Sequence, residues 1–333
     1  METLELTRKL IDIRSTTGEE SAIMVFLAEY LENIGFQVSK QKVEKDRFNI
    51  LAKVGEPRAV LSTHTDTVPP YFPLSEDEEY IYGRGACDTK GIIAAQIKAA
   101  ELLLKQDIRN FGLLFMVGEE EKSDGAAAAN TIPNTCRWLV NGEPTANKMA
   151  VGTKGALNVK LTVKGKACHS AYPEQGESAI DKMLDILTDI NQIQWPVHER
   201  LGATTCNIGV ISGGIQPNVL APHAEAQLMF RVVTSTNDIK EQLREVVSVR
   251  GELDFYFACE PIITHVLDGF PTMIAAYRTD IPFLTNWGTP LLLGPGNILD
   301  AHSPGEKIAK AQILEAVDHY ADIIRRLLHE EGV

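Results

Sequence analysis

Several features are missing from this 333-residue chain, and each absence narrows what it does. No Lys/Arg cluster forms a basic stripe, and 32 Lys plus Arg stand against 45 Asp plus Glu, a formal net charge of −13. Nucleic acid and anionic membrane surfaces are therefore not expected as partners. No apolar run reaches the roughly 18 residues that suggest a membrane span. The opening METLELTRKLIDIRS carries Glu and Arg at helical spacing instead of a basic region followed by an apolar block, so no secretory signal is expected. CxxC spacing is also lacking. The five cysteines, Cys87, Cys136, Cys168, Cys206 and Cys259, are dispersed and odd in number, which fits a reducing, cytoplasmic compartment and small buried apolar roles. There is no internal repeat, no low-complexity segment and no GxxxxGK[ST] loop.

The length predicts two domains. Leu4 to Ile13 and Glu20 to Ile34 have helical periodicity, with Gly35 as a stop. Short apolar runs at Phe48 to Val54, Ala59 to Thr63, Phe111 to Gly118 and Cys136 to Val140 read as strands, and alanine-rich Gly91 to Leu104 as a helix. Strands alternating with helices predict an α/β domain with a mostly parallel, doubly covered sheet. After Val151 the texture changes. ALNVKLTVK (156–164) alternates with period two, and strands and helices then follow in the order β-α-β-β-α-β to Cys259, the pattern of an α+β ferredoxin-like sandwich. Pro290 to Leu293 reads as a return to the first sheet and Ile308 to Leu328 as a closing helix. The expected organisation is a first domain over 1–152 and 266–333, interrupted by an inserted domain over 153–265.

What the chain does have is a spaced series of His, Asp and Glu, most of them at the ends of apolar runs. His64 and Asp66 lie in LSTHTDTVPP, Asp88 in YGRGACDTKG, Glu119 and Glu120 in LLFMVGEEEKSDG, Glu143 in WLVNGEPT, and His302 in LLLGPGNILDAHSPGE. Ligands that converge at one edge of an open sheet make a metal site. Each motif alone has a plainer reading. An HxD is commonly strand-end polarity, a lone Asp before a helix a cap, an EEE a surface turn, and NGEPT an ordinary turn. On an extended strand His64 and Asp66 point to the same face, so one can bind metal while the other orients its neighbour. Glu119 and Glu120 can divide labour as proton acceptor and ligand.

Taken in order, HTDT, GRGACDTKG, GEEE, NGEPT and AHSPGE resemble the M20 family of dinuclear zinc hydrolases over almost the whole chain. The resemblance implies a zinc-peptidase-like catalytic domain with an inserted lid that dimerises. It also implies two Zn²⁺, with Co²⁺ or Mn²⁺ as substitutes. One zinc would sit on His64 and Glu143, the other on Glu120 and His302, with Asp88 bridging, Asp66 orienting His64 and Glu119 as general base.

In the inserted domain, His169 in the HSAYP context matches a histidine that contacts the developing oxyanion. Asn218 and Arg231 match substrate-side positions, the arginine for a carboxylate. Arg278 replaces a small residue before the TD pair and reads either a substrate carboxylate or a structural ion pair. Glu at position 143 leans toward deacylases and carboxypeptidases. The expected reaction is hydrolysis of an N-acyl amino acid, most like acetylornithine deacetylase, with succinyl-diaminopimelate desuccinylase or a dipeptidase or carboxypeptidase behind it. A non-catalytic binding relative is disfavoured because every expected position is filled. A small-molecule substrate, a homodimer through the lid and a cytoplasmic location complete the expectations.

Overall fold

A computed structural model describes residues 1–329, so the last four residues of the expected 266–333 segment lie outside the described residues. The chain forms two compact units, Met1–Val151 with Ile263–Met273 and Thr279–Val333, and Gly152–Ile262 with Ile274–Arg278. The strand-bearing segment Ile274–Arg278 goes with the second unit, although its place in the sequence assigns it to the first.

The first unit is built on a six-stranded sheet in the order Gln37–Glu44, Arg47–Val54, Phe111–Met116, Ala59–His64, Trp138–Asn141, Thr289–Leu292. The last four are parallel neighbours, whereas the first two pair antiparallel with each other and Arg47–Val54 pairs antiparallel with Phe111–Met116. The sheet is therefore mixed, with its four site-bearing strands parallel as the apolar runs predict and its two outer strands antiparallel. Gln37–Glu44 escapes sequence patterning because it is a polar edge strand with no buried position.

Alternation along the central strand sorts side chains onto two faces. Ala59 and Leu61 join the large core with helices Thr3–Asp12, Ser21–Asn33, Gly91–Lys105 and Lys310–His329, and Val60 joins Leu114, Leu139 and Trp287 on the other side. With both faces covered, the polar ends of the strands have only the sheet edges on which to emerge.

The second unit contains an antiparallel four-stranded sheet, ordered Thr205–Gly213, His223–Val232, Gly155–Lys164, Glu252–Cys259. Helices Ala179–Gln192 and Thr236–Val247 bury Met183, Ile186, Leu243 and Val247 against Leu157, Val159, Leu161 and Val163. Ser178 and Ser235 cap the two helices, accepting the N–H of Asp181 and Asn237 at 3.2 Å each. Chain order and strand order are those of a ferredoxin-like sandwich. No described helix is long and apolar enough to cross a membrane.

Candidate metal centre

Parallel neighbours end at the same edge. Register pairs His64 with Met116 and Ser62 with Asn141, so the turns bearing Asp66, Glu119–Glu120 and Glu143 leave one rim of the sheet. Two glycines make the turns possible. Gly118 has φ +80°, and a Cβ at Gly142 would lie 2.5 Å from Ile92 Cγ2 and 2.6 Å from Gln96 Nε2. Gly142 N–H donates to Ser62 O at 2.7 Å, and Thr63 Oγ1 donates to Gly142 O at 2.8 Å, which fixes the residue before Glu143.

Asp88 is at the centre. Its Oδ1 lies 3.0 Å from His64 Nε2 and its Oδ2 lies 3.3 Å from His302 Nε2, so one carboxylate faces both imidazoles. His302 Nε2 also meets Glu120 Oε1 at 3.0 Å. Two groups of donor atoms, His64–Asp88–Glu143 and Asp88–Glu120–His302, each gather within 4.8 Å and share Asp88. All five expected ligands therefore come together. His302 holds its place with φ +58°, a left-handed conformation that is unfavourable for a side chain this large. The Asp88–Thr89 peptide is cis.

The electrostatics are those of a crowded acidic cluster. Burial pushes the Asp88 carboxyl up, but hydrogen bonds from His302 and His64 outweigh it and hold the group well below the usual range. Burial, then the Asp88 charge, pushes Glu120 up to about 7. Glu143 is raised well above its ordinary value, first by burial, and its Oε1 is buried with no hydrogen-bond partner. Hydrogen bonds to Asp88 and Glu120 raise His302 to about 10.

Asp66 does more than sit beside His64. Its backbone carbonyl lies 3.0 Å from His64 Nδ1, its Oδ1 accepts the N–H of Glu119 at 3.0 Å, and its Oδ2 accepts the N–H of Glu120 at 3.1 Å and Thr17 Oγ1–H at 2.8 Å. Glu119 itself is 7% exposed.

The remaining expected residues belong to the second unit. Val219 and His169 form a β-bridge, and Ser170 N–H donates to Asn218 O at 3.0 Å, so His169 and Asn218 share one loop pair. His169 Nδ1 accepts the N–H of Ala171 at 3.1 Å, which turns Nε2 of the exposed ring away from that contact. Arg231 is lowered from its usual range by burial and then by the charge of Arg278, whose guanidinium lies 5.6 Å from the Phe257 ring centroid. Two arginines thus bear on the same region of this unit.

Comparison with known proteins gives the site its context. A peptidase M20 domain-containing protein of Schizosaccharomyces pombe is 35% identical, over 96% of this chain and 84% of its own length. The chain belongs to the M20 peptidase family. Residues 151–254 of this M20 peptidase match the family described as peptidase dimerisation domain. A probable carboxypeptidase of Aspergillus fumigatus is 34% identical over 98% of this chain and 86% of its own. A tripeptidase structure from Staphylococcus aureus superposes with a TM-score of 0.83 at 20% identity, covering 98% and 97% of the two chains, and so shares the fold.

Two residues of this M20 peptidase escape sequence reasoning. Asp280 is 1% exposed and is pushed by burial and then by the Glu119 charge up to about 8. Glu306 is fully buried and addresses the backbone of Asp88. The available signals were the TD pair after Arg278 and the final Glu of AHSPGE, neither of which follows a strand end.

Proposed function

We propose that this M20 peptidase hydrolyses the amide bond of an N-acyl amino acid, releasing a carboxylic acid and a free amino acid, as acetylornithine deacetylase does. The observation that carries the reading is the Asp88 carboxylate shared by two donor groups. Two imidazoles and three carboxylates suit two zinc ions, with cobalt or manganese as substitutes, and the orphaned Glu143 Oε1 is an acceptor that such a cation satisfies. His64 and Glu143 would hold one ion, Glu120 and His302 the other, and Asp88 both. When bound, the pair would supply Lewis-acid polarisation of the amide carbonyl and a water of lowered pKa.

The chain's own groups do the rest. Glu119 takes a proton from the attacking water and returns it to the leaving nitrogen. Asp66 keeps Glu119 and Glu120 in place through their backbone N–H groups and orients His64. His169 donates from Nε2 to the oxygen that becomes negative, and Arg231, with Asn218 and Arg278, receives the substrate carboxylate.

The Aspergillus relative named a probable carboxypeptidase favours a second reading. A carboxypeptidase cuts the same kind of bond, an amide on the amino side of a residue with a free carboxylate, and differs in what the acyl side is. Dipeptides and N-succinyl diamino acids fall in the same class.

A homodimer through the second unit is part of the proposal. Thr205–Gly213 is the terminal strand of its sheet, and Val210 and Ile211 on it are about half or more exposed, as are Ile215 just beyond it and Leu184 on helix Ala179–Gln192. An apolar sheet edge of this kind is supported by pairing with a second copy. A cytoplasmic location is supported by five cysteines that are all free thiols.

The test is metal analysis followed by a panel of N-acetyl, N-succinyl and dipeptide substrates, with and without chelator, and light scattering for the dimer. Turnover of an N-acetyl amino acid that is lost with chelator and restored by zinc is expected. Activity indifferent to chelator, or none on any amide, would sink the reading.

A further inference from the structure

The two halves of the ligand set are tied together by a carboxylate that is not itself a ligand. Glu306 lies four residues beyond His302 and is fully buried. Its Oε2 meets Arg84 Nη1 at 2.6 Å, while its Oε1 accepts two successive backbone N–H groups, those of Cys87 and Asp88, at 3.1 Å each. Gly83 N–H donates to Glu306 O at 3.1 Å, and Arg84 Nε donates to Pro70 O at 3.2 Å with its guanidinium 5.0 Å from the Phe72 ring. Both carboxylate oxygens are thus occupied by protein donors. A buried ion pair offers little net stability over apolar packing of the same volume, because desolvation offsets the attraction. A charged acceptor for two adjacent N–H groups, by contrast, fixes the peptide that carries the next side chain.

The geometry points to Glu306 as the residue that positions the bridging carboxylate of Asp88, so that both metal ions depend on it although it is a ligand to neither. This inference rests on the reading of Asp88 as the bridge.

The discriminating measurement is zinc titration of metal-free protein by calorimetry, comparing wild type with Glu306→Ala, Glu306→Gln and His302→Ala. Positioning through Asp88 predicts that Glu306→Ala weakens both zinc equivalents together, by about tenfold or more. Glu306→Gln should recover most of that loss, because its amide oxygen can still accept both N–H groups. His302→Ala should lose one equivalent only. If Glu306 merely stiffened its own loop, Glu306→Ala would resemble His302→Ala, and that result overturns the inference, as does binding within twofold of wild type at both sites. Should Glu306→Ala fail to fold, hydrogen exchange in the metal-free wild type decides. The amides of Cys87 and Asp88 are expected to be protected without metal, and exchange at unprotected rates overturns the inference. Because that readout needs no metal, a failure of the dizinc reading remains distinguishable from a failure of this one.

Discussion

The carboxylate of Asp66 accepts the backbone N–H of Glu119 at 3.0 Å and, through its other oxygen, that of Glu120 at 3.1 Å. A single side chain therefore sets the positions of the proposed base and of a proposed ligand at once. Burial pushes Asp66 up, but the hydrogen bond with His64 and its further donors hold it below its ordinary value, so it remains an anion that accepts on both sides. Asp66→Asn keeps the shape but points an NH₂ at one of the two N–H groups. The expected result is a fall of roughly 10- to 100-fold in kcat or zinc affinity, read by steady-state kinetics and metal content. Unchanged values for both would remove Asp66 from this role.

Glu119 is adjacent to the proposed ligand Glu120 without belonging to either donor group. Glu119→Gln is expected to lower kcat by roughly 10²- to 10⁴-fold while zinc content stays at the wild-type level. Near-normal turnover, or loss of zinc in step with activity, speaks against its assignment as base.

On the proposed ligand set, protons and zinc compete for the same atoms. In the metal-free protein His302 is raised to about 10 and Glu120 to about 7, so both carry a proton at pH 6. Zinc uptake should release about two or more protons there and fewer at pH 8.5, with affinity rising as pH rises. The stability of the metal-free protein runs the opposite way. The His302 contribution is complete below its ordinary value of 6.5 and lost as pH rises through about 10, and that of Glu120 is complete below 4.5 and lost through about 7. The gain in Tm on adding zinc should therefore widen from pH 5.5 to 8.5, as measured by calorimetry. A gain that narrows contradicts the assigned shifts.

Arg231 is proposed to hold the substrate carboxylate by charge-assisted hydrogen bonds. Arg231→Met should raise KM by roughly 10- to 100-fold, the worth of hydrogen bonds to a charged group, with a smaller change in kcat. Equal KM for substrates with and without a free carboxylate, in the wild type, would leave the arginine without this task.

Gly142 is packed against Ile92, Gln96 and Tyr320, and a Cβ there would lie 3.0 Å or less from all three. Gly142→Ala is expected to cost about 1–3 kcal/mol of stability through overpacking and to displace Glu143, lowering zinc affinity as well. Urea denaturation of the metal-free variant checks the first part, and a midpoint equal to wild type refutes it.

Much of the centre was legible in the chain because parallel strands announce themselves as apolar runs and deliver their next polar residues to one rim. His64, Glu119, Glu120 and Glu143 follow such runs directly. The ferredoxin-like order was legible for a similar reason, since ALNVKLTVK alternates cleanly. The polar strand Gln37–Glu44 was not, because an edge strand without a buried position carries no period to read. Asp280 and Glu306 were hidden for another reason. Asp280 is buried beside the Glu119 charge, and Glu306 meets the distant Arg84 and two backbone N–H groups, contacts that leave no pattern of residue types along the chain.

The link from Glu306 to the Cys87 and Asp88 amides also orders events in time. During synthesis His64, Asp88, Glu120 and Glu143 emerge early, and the whole stretch Gly152–Ile262 follows before His302 and Glu306 are made. Until then the N–H groups of Cys87 and Asp88 lack the acceptor that the folded protein gives them, and the proposed bridge lacks the residue proposed to position it.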